Sequence, residues 1–318
     1  MKILVTPTSF LKPENAAAKE KLEEFASEVV YNDLGRPLQP EEILARLDGV
    51  DGYIAGLDYI TLEVIEKAPA ALKVISRYGA GVDRVDMEAC KNKGIEVTNT
   101  PGTNSVAVCE LAFSLMLCTA RNIVRLHESV ERGEWVRSQG IELRGKTLGI
   151  IGMGAIGKNL AKRARAFEMD VVAYDPYFDE EFAKQNQIQR MDLDALLAIA
   201  DFISLHVPLT EQTRHMINKE SISKLKDGAV IINTARGGMI DEAAAAEAIQ
   251  SGKLGGLGLD AFEEEPLKES PLKGLDRVVF TPHTGAHTAE AVAGMGNMAV
   301  DNLIAVLSHK PCRYVLNQ

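Results

Sequence analysis

Residues 145–175 read GKTLGIIGMGAIGKNLAKRARAFEMDVVAYD. An apolar run, Thr147–Ile151, leads directly into Gly152, Gly154 and Gly157 in GxGxxG spacing; a helical pattern follows, and a second apolar run ends in Asp175. Three glycines alone say little. Set between a strand and a helix, with an acid eighteen residues beyond Gly157, they have the context a dinucleotide fingerprint requires. Gly152 makes the tight turn, Gly154 lets backbone approach a pyrophosphate, and Gly157 allows close helix–strand packing. Ala155 and Ile156 open a helix whose N-terminal N–H groups and dipole favour phosphate. Asp175 is placed to accept hydrogen bonds from the adenosine ribose hydroxyls and to repel a 2′-phosphate. Pro176 and the residues after it, Tyr177-Phe178-Asp179, bring no Arg or Lys, so NAD is expected over NADP.

Working outward, β-branched runs alternate with helical patterns over most of the chain. Toward the N-terminus the strands expected are Ile3–Val5, Gly52–Ala55, Lys73–Arg77 and Glu96–Thr98, with helical stretches at Glu14–Ala26, Pro40–Leu47 and Asp86–Lys93. Such alternation indicates parallel βαβ units with helices on both sheet faces. One long helix is expected from Ser105 to Glu131; its centre, ELAFSLMLCTA, is apolar nearly all round, as in a buried helix. After Thr147–Ile151 come Val171–Tyr174, Phe202–Val207, Ala229–Thr234, Gly256–Asp260 and Val278–Thr281, enough for a doubly wound sheet of six or seven strands. A last helix, about Thr288–Ser308, follows the completed sheet and is expected to return to the first domain. The resulting α/β architecture is a cofactor domain over 100–287 inserted into a domain made of 1–99 and 288–318.

Composition bounds the function. A length of 318 residues suggests two domains, at about 100–200 residues each. The net charge of −10, from 45 acidic and 35 basic residues, offers no global positive field for nucleic acid. No apolar run is long enough for a membrane span, and MKILVTPTSF resembles a first core strand more than a leader. Four cysteines without CxxC spacing suggest free thiols and a cytoplasmic location.

Three segments at strand ends carry chemistry: NTARGGMIDE (Asn233–Glu242), LGLDAFEEEP (Leu257–Pro266) and FTPHTGAH (Phe280–His287). Ligands of open α/β sheets gather beyond the carboxyl ends of strands. Arg236 offers a planar fork matched to a carboxylate. His283 titrates near neutrality without help, and Glu265 could hold its imidazole and stabilise the protonated form. His206 ends a strand near the cofactor and is read as a cofactor-lining group. His283 and His287 form HxxxH, but Pro282 and Gly285 oppose a helix there, so no metal is expected.

These segments, with SRYGAGVDRVD, NTPGTNSVAVCELAFSLML and SLHVPLT, resemble the D-isomer-specific 2-hydroxyacid dehydrogenase family from about Gly52 to Glu290. The resemblance implies a Rossmann NAD-binding domain inserted into a flavodoxin-like substrate domain, a homodimer, and hydride exchange between NAD and a small anionic 2-hydroxy or 2-keto acid. D-3-phosphoglycerate and hydroxypyruvate/glycerate are the candidate substrates. It implies that Arg236 binds the substrate carboxylate and carbonyl, and that Glu265 partners the catalytic His283. Asp260 would contact the nicotinamide carboxamide. Backbone at Gly79, Ala80 and Gly81, flanked by Arg77 and Tyr78, would hold the carboxylate. Pro208, Thr213, Thr234 and Ala235 would line the cofactor.

The sequence departs from the family pattern at Arg84, where relatives usually carry Asn. It also has Ala55-Gly56-Leu57-Asp58 where phosphoglycerate-specific relatives place a basic residue. The chain is also too short for the regulatory C-terminal domain of some phosphoglycerate dehydrogenases. Glu265, rather than Gln, argues against a formate dehydrogenase. The rival reading is an NAD-sensing protein of the co-repressor type, which the joint Arg236, Glu265, His283 set disfavours. Trp135, the only tryptophan, lies just before the cofactor domain's first strand, where relatives can approach a neighbouring subunit.

Overall fold

The computed structural model describes residues 1–318, which form two compact units: Met1–Asn104 with Ala286–Gln318, and Ser105–Gly285.

The first unit runs β1 (Lys2–Val5), α1 (Ala16–Phe25), β2 (Glu28–Tyr31), α2 (Pro40–Leu44), β3 (Gly52–Ala55), α3 (Leu62–Lys67), β4 (Val74–Arg77), α4 (Met87–Lys93) and β5 (Glu96–Thr98). The strands are parallel in the order β2-β1-β3-β4-β5, the flavodoxin-like winding. β3 and β4 are buried at every position, so they read as continuous apolar runs rather than alternating ones. Local chemistry sets the helix ends: Asp86 accepts the Ala89 N–H to start α4, and Gly94 ends it at φ +71°.

The second unit begins with the apolar region expected as one helix from Ser105 to Glu131. It is two helices, α5 (Ser105–Ala120) and α6 (Ile123–Glu131), bent by 63°. Asn122 breaks the run at φ +53°, a conformation that Asn tolerates better than most residues. Its side-chain amide donates to Ser138 Oγ and the Gln139 carbonyl, both at 3.2 Å, and the Ile141 N–H takes the Ala120 carbonyl at 2.9 Å. The returning strand-like segment therefore satisfies the end of α5 and turns the chain. No single helix is long and apolar enough to cross a membrane.

There follow β6 (Thr147–Ile151), α7 (Ala155–Ala166), β7 (Asp170–Tyr174), α8 (Glu180–Gln185), β8 (Ile188–Arg190), α9 (Leu193–Ile199) and β9 (Phe202–Leu205). Then come α10 (Lys219–Lys224), β10 (Ala229–Asn233), α11 (Glu242–Ser251), β11 (Leu254–Leu259) and β12 (Val278–Phe280). All seven strands are parallel, in the order β12-β11-β10-β9-β6-β7-β8, a doubly wound Rossmann sheet whose order reverses between β6 and β9. One face is covered by α5, α7 and α8 around Met116, Leu160 and Phe202. The other is covered by α9, α10 and α11 around Leu196, Ile231 and Leu257. α12 (Ala289–Leu307) belongs to the first unit. There Gly52 lets Leu303 and Leu307 approach β3, where a Cβ would lie about 3 Å from both side chains.

Candidate active site

The glycine turn sits at the point where the second unit's strand order reverses. Gly152 has φ +105°, and a Cβ there would lie 2.6 Å from the carbonyl carbon of His206, at the end of the neighbouring β9. Gly157 packs α7 onto that turn, since its Cβ would meet the Gly152 carbonyl oxygen at 2.1 Å. Beside Gly154 there is open space. The N-terminus of α7 has no side-chain cap, so its first N–H groups, at Ala155 and Ile156, await an external acceptor. Asp175 anchors the turn from β7: its carboxylate accepts the Met153 N–H at 2.6 Å and the Tyr177 N–H at 2.7 Å, which also fixes Pro176 between them. Each oxygen keeps a lone pair for a further donor.

Two buried polar atoms nearby have no partner, Thr234 Oγ1 and His206 Nδ1. Such orphans are costly unless a ligand or water meets them. His206 Nε2 bonds Ser204 Oγ at 2.8 Å, and burial pushes the imidazole down to about 4. Thr213 closes the loop after β9 by donating to the Pro208 carbonyl at 2.7 Å. An uncapped helix start, open space at Gly154 and two orphan polar groups at neighbouring strand ends suit a dinucleotide.

The chemical groups converge beyond β10, β11 and β12. Asn233, at the end of β10, accepts the Ala235 N–H and donates to the Arg236 carbonyl at 2.8 Å. This local turn aims the half-buried Arg236. Its guanidinium donates to the Ala235 carbonyl at 2.7 Å. Glu265 and His283 meet as a pair, His283 Nδ1 lying 2.9 and 3.0 Å from the two carboxylate oxygens. Their side chains are 15% and 25% exposed, enough to reach a ligand yet shielded from bulk screening. His283 itself has φ +52°.

Asp260 does more structural work than the sequence suggested. Its buried carboxylate accepts the Thr281 hydroxyl at 2.6 Å, the Thr284 N–H at 2.8 Å and the Gly285 N–H at 2.8 Å. It gathers the loop that presents His283; one lone pair on Oδ2 remains. Nothing in the sequence pattern assigned a role to Asn233 or Thr281, although an Asn closing a strand before a turn is a known Asx-turn signal. HxxxH is not on a helical turn, since α12 starts at Ala289 after a Thr288 cap.

In the first unit the side chains of Arg77 and Tyr78, expected near the substrate carboxylate, bond to main-chain carbonyls. Arg77 is only 5% exposed, and its guanidinium donates to the carbonyls of Ala55, Gly56, Tyr78 and Gly81 at 2.5–3.2 Å. The Tyr78 hydroxyl donates to the Val292 carbonyl at 2.8 Å. Both side chains are buried and brace the loop that follows β4. In that loop the Gly79 N–H bonds Thr100 Oγ1 at 2.9 Å, which leaves the N–H groups of Ala80 and Gly81 as donors. Arg84 stacks over the Tyr59 ring at 4.6 Å and donates to the Leu57 carbonyl. Asp58 is buried and accepts the Leu38 and Gly56 N–H groups.

Residues 113–285 match the family model of the D-isomer specific 2-hydroxyacid dehydrogenase NAD binding domain. The whole chain aligns at 44% identity over 321 residues with a D-3-phosphoglycerate dehydrogenase of Methanocaldococcus jannaschii, spanning 59% of that protein's length. A hydroxypyruvate reductase of Thermotoga maritima is 47% identical over 276 residues, which cover 85% of this chain and 89% of the relative. Among solved structures, a D-lactate dehydrogenase of Aquifex aeolicus complexed with NAD and lactic acid superposes with a TM-score of 0.84 at 32% identity, over 96% of both chains.

Proposed function

Because the chain belongs to the D-isomer specific 2-hydroxyacid dehydrogenase family, we propose that it interconverts a small 2-hydroxy acid and its 2-keto acid with NAD as cofactor. The observation that carries this reading is the shielded Glu265–His283 pair, in the same unit as Arg236 and the glycine turn. The turn from Gly152 to Gly157, Asp175, His206 and Thr234 would hold the cofactor, which when bound supplies or accepts the hydride. Arg236 binds the substrate carboxylate through its two-pronged fork. Glu265 fixes His283 by its Nδ1–H, which leaves Nε2 to carry the proton. In reduction His283 gives that proton to the substrate oxygen; in oxidation it takes it back.

We favour an unphosphorylated substrate of the hydroxypyruvate or glyoxylate type over a phosphorylated one. After β3 the chain offers the buried Asp58 rather than a base, and Arg77 and Arg84 are committed to backbone carbonyls. A phosphate would find no basic side chain there. Steady-state turnover with NADH and hydroxypyruvate, phosphohydroxypyruvate, glyoxylate and pyruvate tests both statements. Hydroxypyruvate or glyoxylate should have the highest kcat/KM; no turnover of any keto acid would favour the NAD-sensing alternative, which the intact Arg236, Glu265 and His283 otherwise disfavour.

We further propose a homodimer. α6 turns Ile123 (49% exposed) and Val130 (57%) to solvent, and Trp135, in the segment after it, is 81% exposed. Apolar groups clustered this way ask for cover. Sedimentation equilibrium should give twice the 34.5 kDa chain mass, and a fully active monomer would remove any cross-subunit role for Trp135.

A further inference from the structure

His215 lies outside every motif discussed so far, yet it touches the turn that carries Arg236 and the loop that carries Glu265. It sits in the segment between β9 and α10 with φ +46°, a backbone conformation more natural to Gly or Asn. In that conformation its N–H donates to the Gly238 carbonyl at 2.8 Å, two residues beyond Arg236. The Asn218 side-chain amide holds its own carbonyl at 2.9 Å. Its ring reaches the other way: Nε2 makes a very short contact with a Glu263 carboxylate oxygen, two residues before Glu265. The Glu263 N–H in turn donates to Glu242 at the start of α11, whose second oxygen accepts the Ser270 hydroxyl. One residue thus ties the Arg236 turn by its main chain and the Glu265 loop by its side chain.

Resting on the reading that Arg236 binds the substrate carboxylate and Glu265 orients His283, we propose that His215 is a positioning residue. Through Glu263 it holds the carboxylate-binding fork and the proton-transfer pair at one spacing. A purely structural pair would stabilise the fold and leave the chemistry alone. The exposure of this one, 42% for each side chain, argues that its contribution to global stability is small. Its effect should therefore be visible in kcat, because reaction rate is sensitive to small misplacements of reacting groups.

The test uses the full-length protein with NADH and the best keto acid, comparing His215→Leu, Glu263→Leu, the double variant and His215→Gln. Each Leu variant should lower kcat about fivefold, which is about 1 kcal/mol, the upper range for an exposed pair. KM for the keto acid and the affinity for NADH should stay near wild type, and Tm should barely move. The double variant should be no worse than either single one, since both remove the same link. His215→Gln retains a donor for Glu263 and should recover most of the rate. Unchanged kcat in both Leu variants overturns the proposal, as does a loss confined to Tm or KM. His283→Ala, run alongside, separates the two readings. If it too keeps its turnover, or if the wild type turns over no keto acid, the assignment of the site falls and the positioning role falls with it.

Discussion

The backbone of Gly237 lies directly against that of Phe262: a Cβ on Gly237 would stand 1.8 Å from the Phe262 carbonyl carbon and 2.2 Å from its oxygen. This contact joins the turn that carries Arg236 to the loop that carries Glu265. Neither neighbour is a flexible side chain, so even a methyl group must push one backbone away from the other. Gly237→Ala should therefore lower stability by roughly 1–3 kcal/mol, the usual cost of overpacking. It should lower kcat/KM more than tenfold, because the displaced groups are those that meet substrate. Thermal unfolding by circular dichroism and steady-state kinetics check the two effects. A Gly237→Ala protein with wild-type kcat/KM would show that the two loops do not share one substrate.

Asp175 has two duties, so its replacement should have two effects. As a carboxylate near the expected ribose it should make NAD(H) strongly preferred over NADP(H). As the acceptor of the Met153 N–H it also holds the glycine turn. Asp175→Ala should narrow the ratio of kcat/KM between the cofactors and raise KM for NADH. Asp175→Asn, which keeps an acceptor for Met153 and loses the charge, should narrow the ratio with a smaller rise in KM. Equal efficiency with both cofactors in the wild type would refute the NAD preference.

How much could be read from the sequence depended on whether the cause was local. The glycine turn was legible because its geometry is imposed by adjacent residues: the positive φ of Gly152 and the Gly157 contact are both within six residues. The break at Asn122 was hidden, since apolar residues continue on both sides and only the returning segment 138–141 turns the chain. β2 and β8 were missed because they are short edge strands, with few buried positions and therefore little apolar signal. The burial of Arg77 and Tyr78 was hidden for another reason: sequence adjacency does not say which way a side chain points at the end of a fully buried strand. The His215–Glu263 contact spans 48 residues and joins the segments after β9 and β11, which flank β10 in the sheet, so no local pattern shows it.

His206 gives the protein a pH dependence of stability. Burial lowers its imidazole from 6.5 to about 4 in the folded protein. Above pH 6.5 the ring is neutral in both folded and unfolded chains and contributes no dependence. As pH falls below 6.5 the unfolded chain binds a proton that the folded chain refuses, so stability declines until about pH 4. Urea unfolding of the cofactor-free protein at pH 7.5, 6 and 5 should show a decline in the wild type that is shallower in His206→Asn. Parallel declines in the two proteins would mean that the ring is hydrated in the native state.

The Glu265–His283 pair should set the pH dependence of turnover. Keto-acid reduction ends with a proton on the former carbonyl oxygen, so His283 must begin as the imidazolium. The Glu265 carboxylate, 2.9 Å from Nδ1, fixes which nitrogen faces substrate. Reduction in kcat/KM should accordingly fall as pH rises. Oxidation of the hydroxy acid needs the neutral ring as base and should rise over the same range. Glu265→Gln keeps an acceptor of similar shape but loses the paired carboxylate oxygens that orient the ring, so it should lower kcat in both directions. His283→Ala should abolish the falling limb for reduction and remove most of the rate, about 100-fold or more for a lost general acid. Asp260→Asn gives a control of a different kind: it loosens the Thr281–Gly285 loop without touching the carboxylate beside the ring, so it should lower kcat and leave the limb in place. Profiles of kcat/KM against pH in both directions, for the four proteins, discriminate these outcomes. If Glu265→Gln leaves kcat unchanged in both directions, or His283→Ala retains near-normal turnover, the proton is carried by another group.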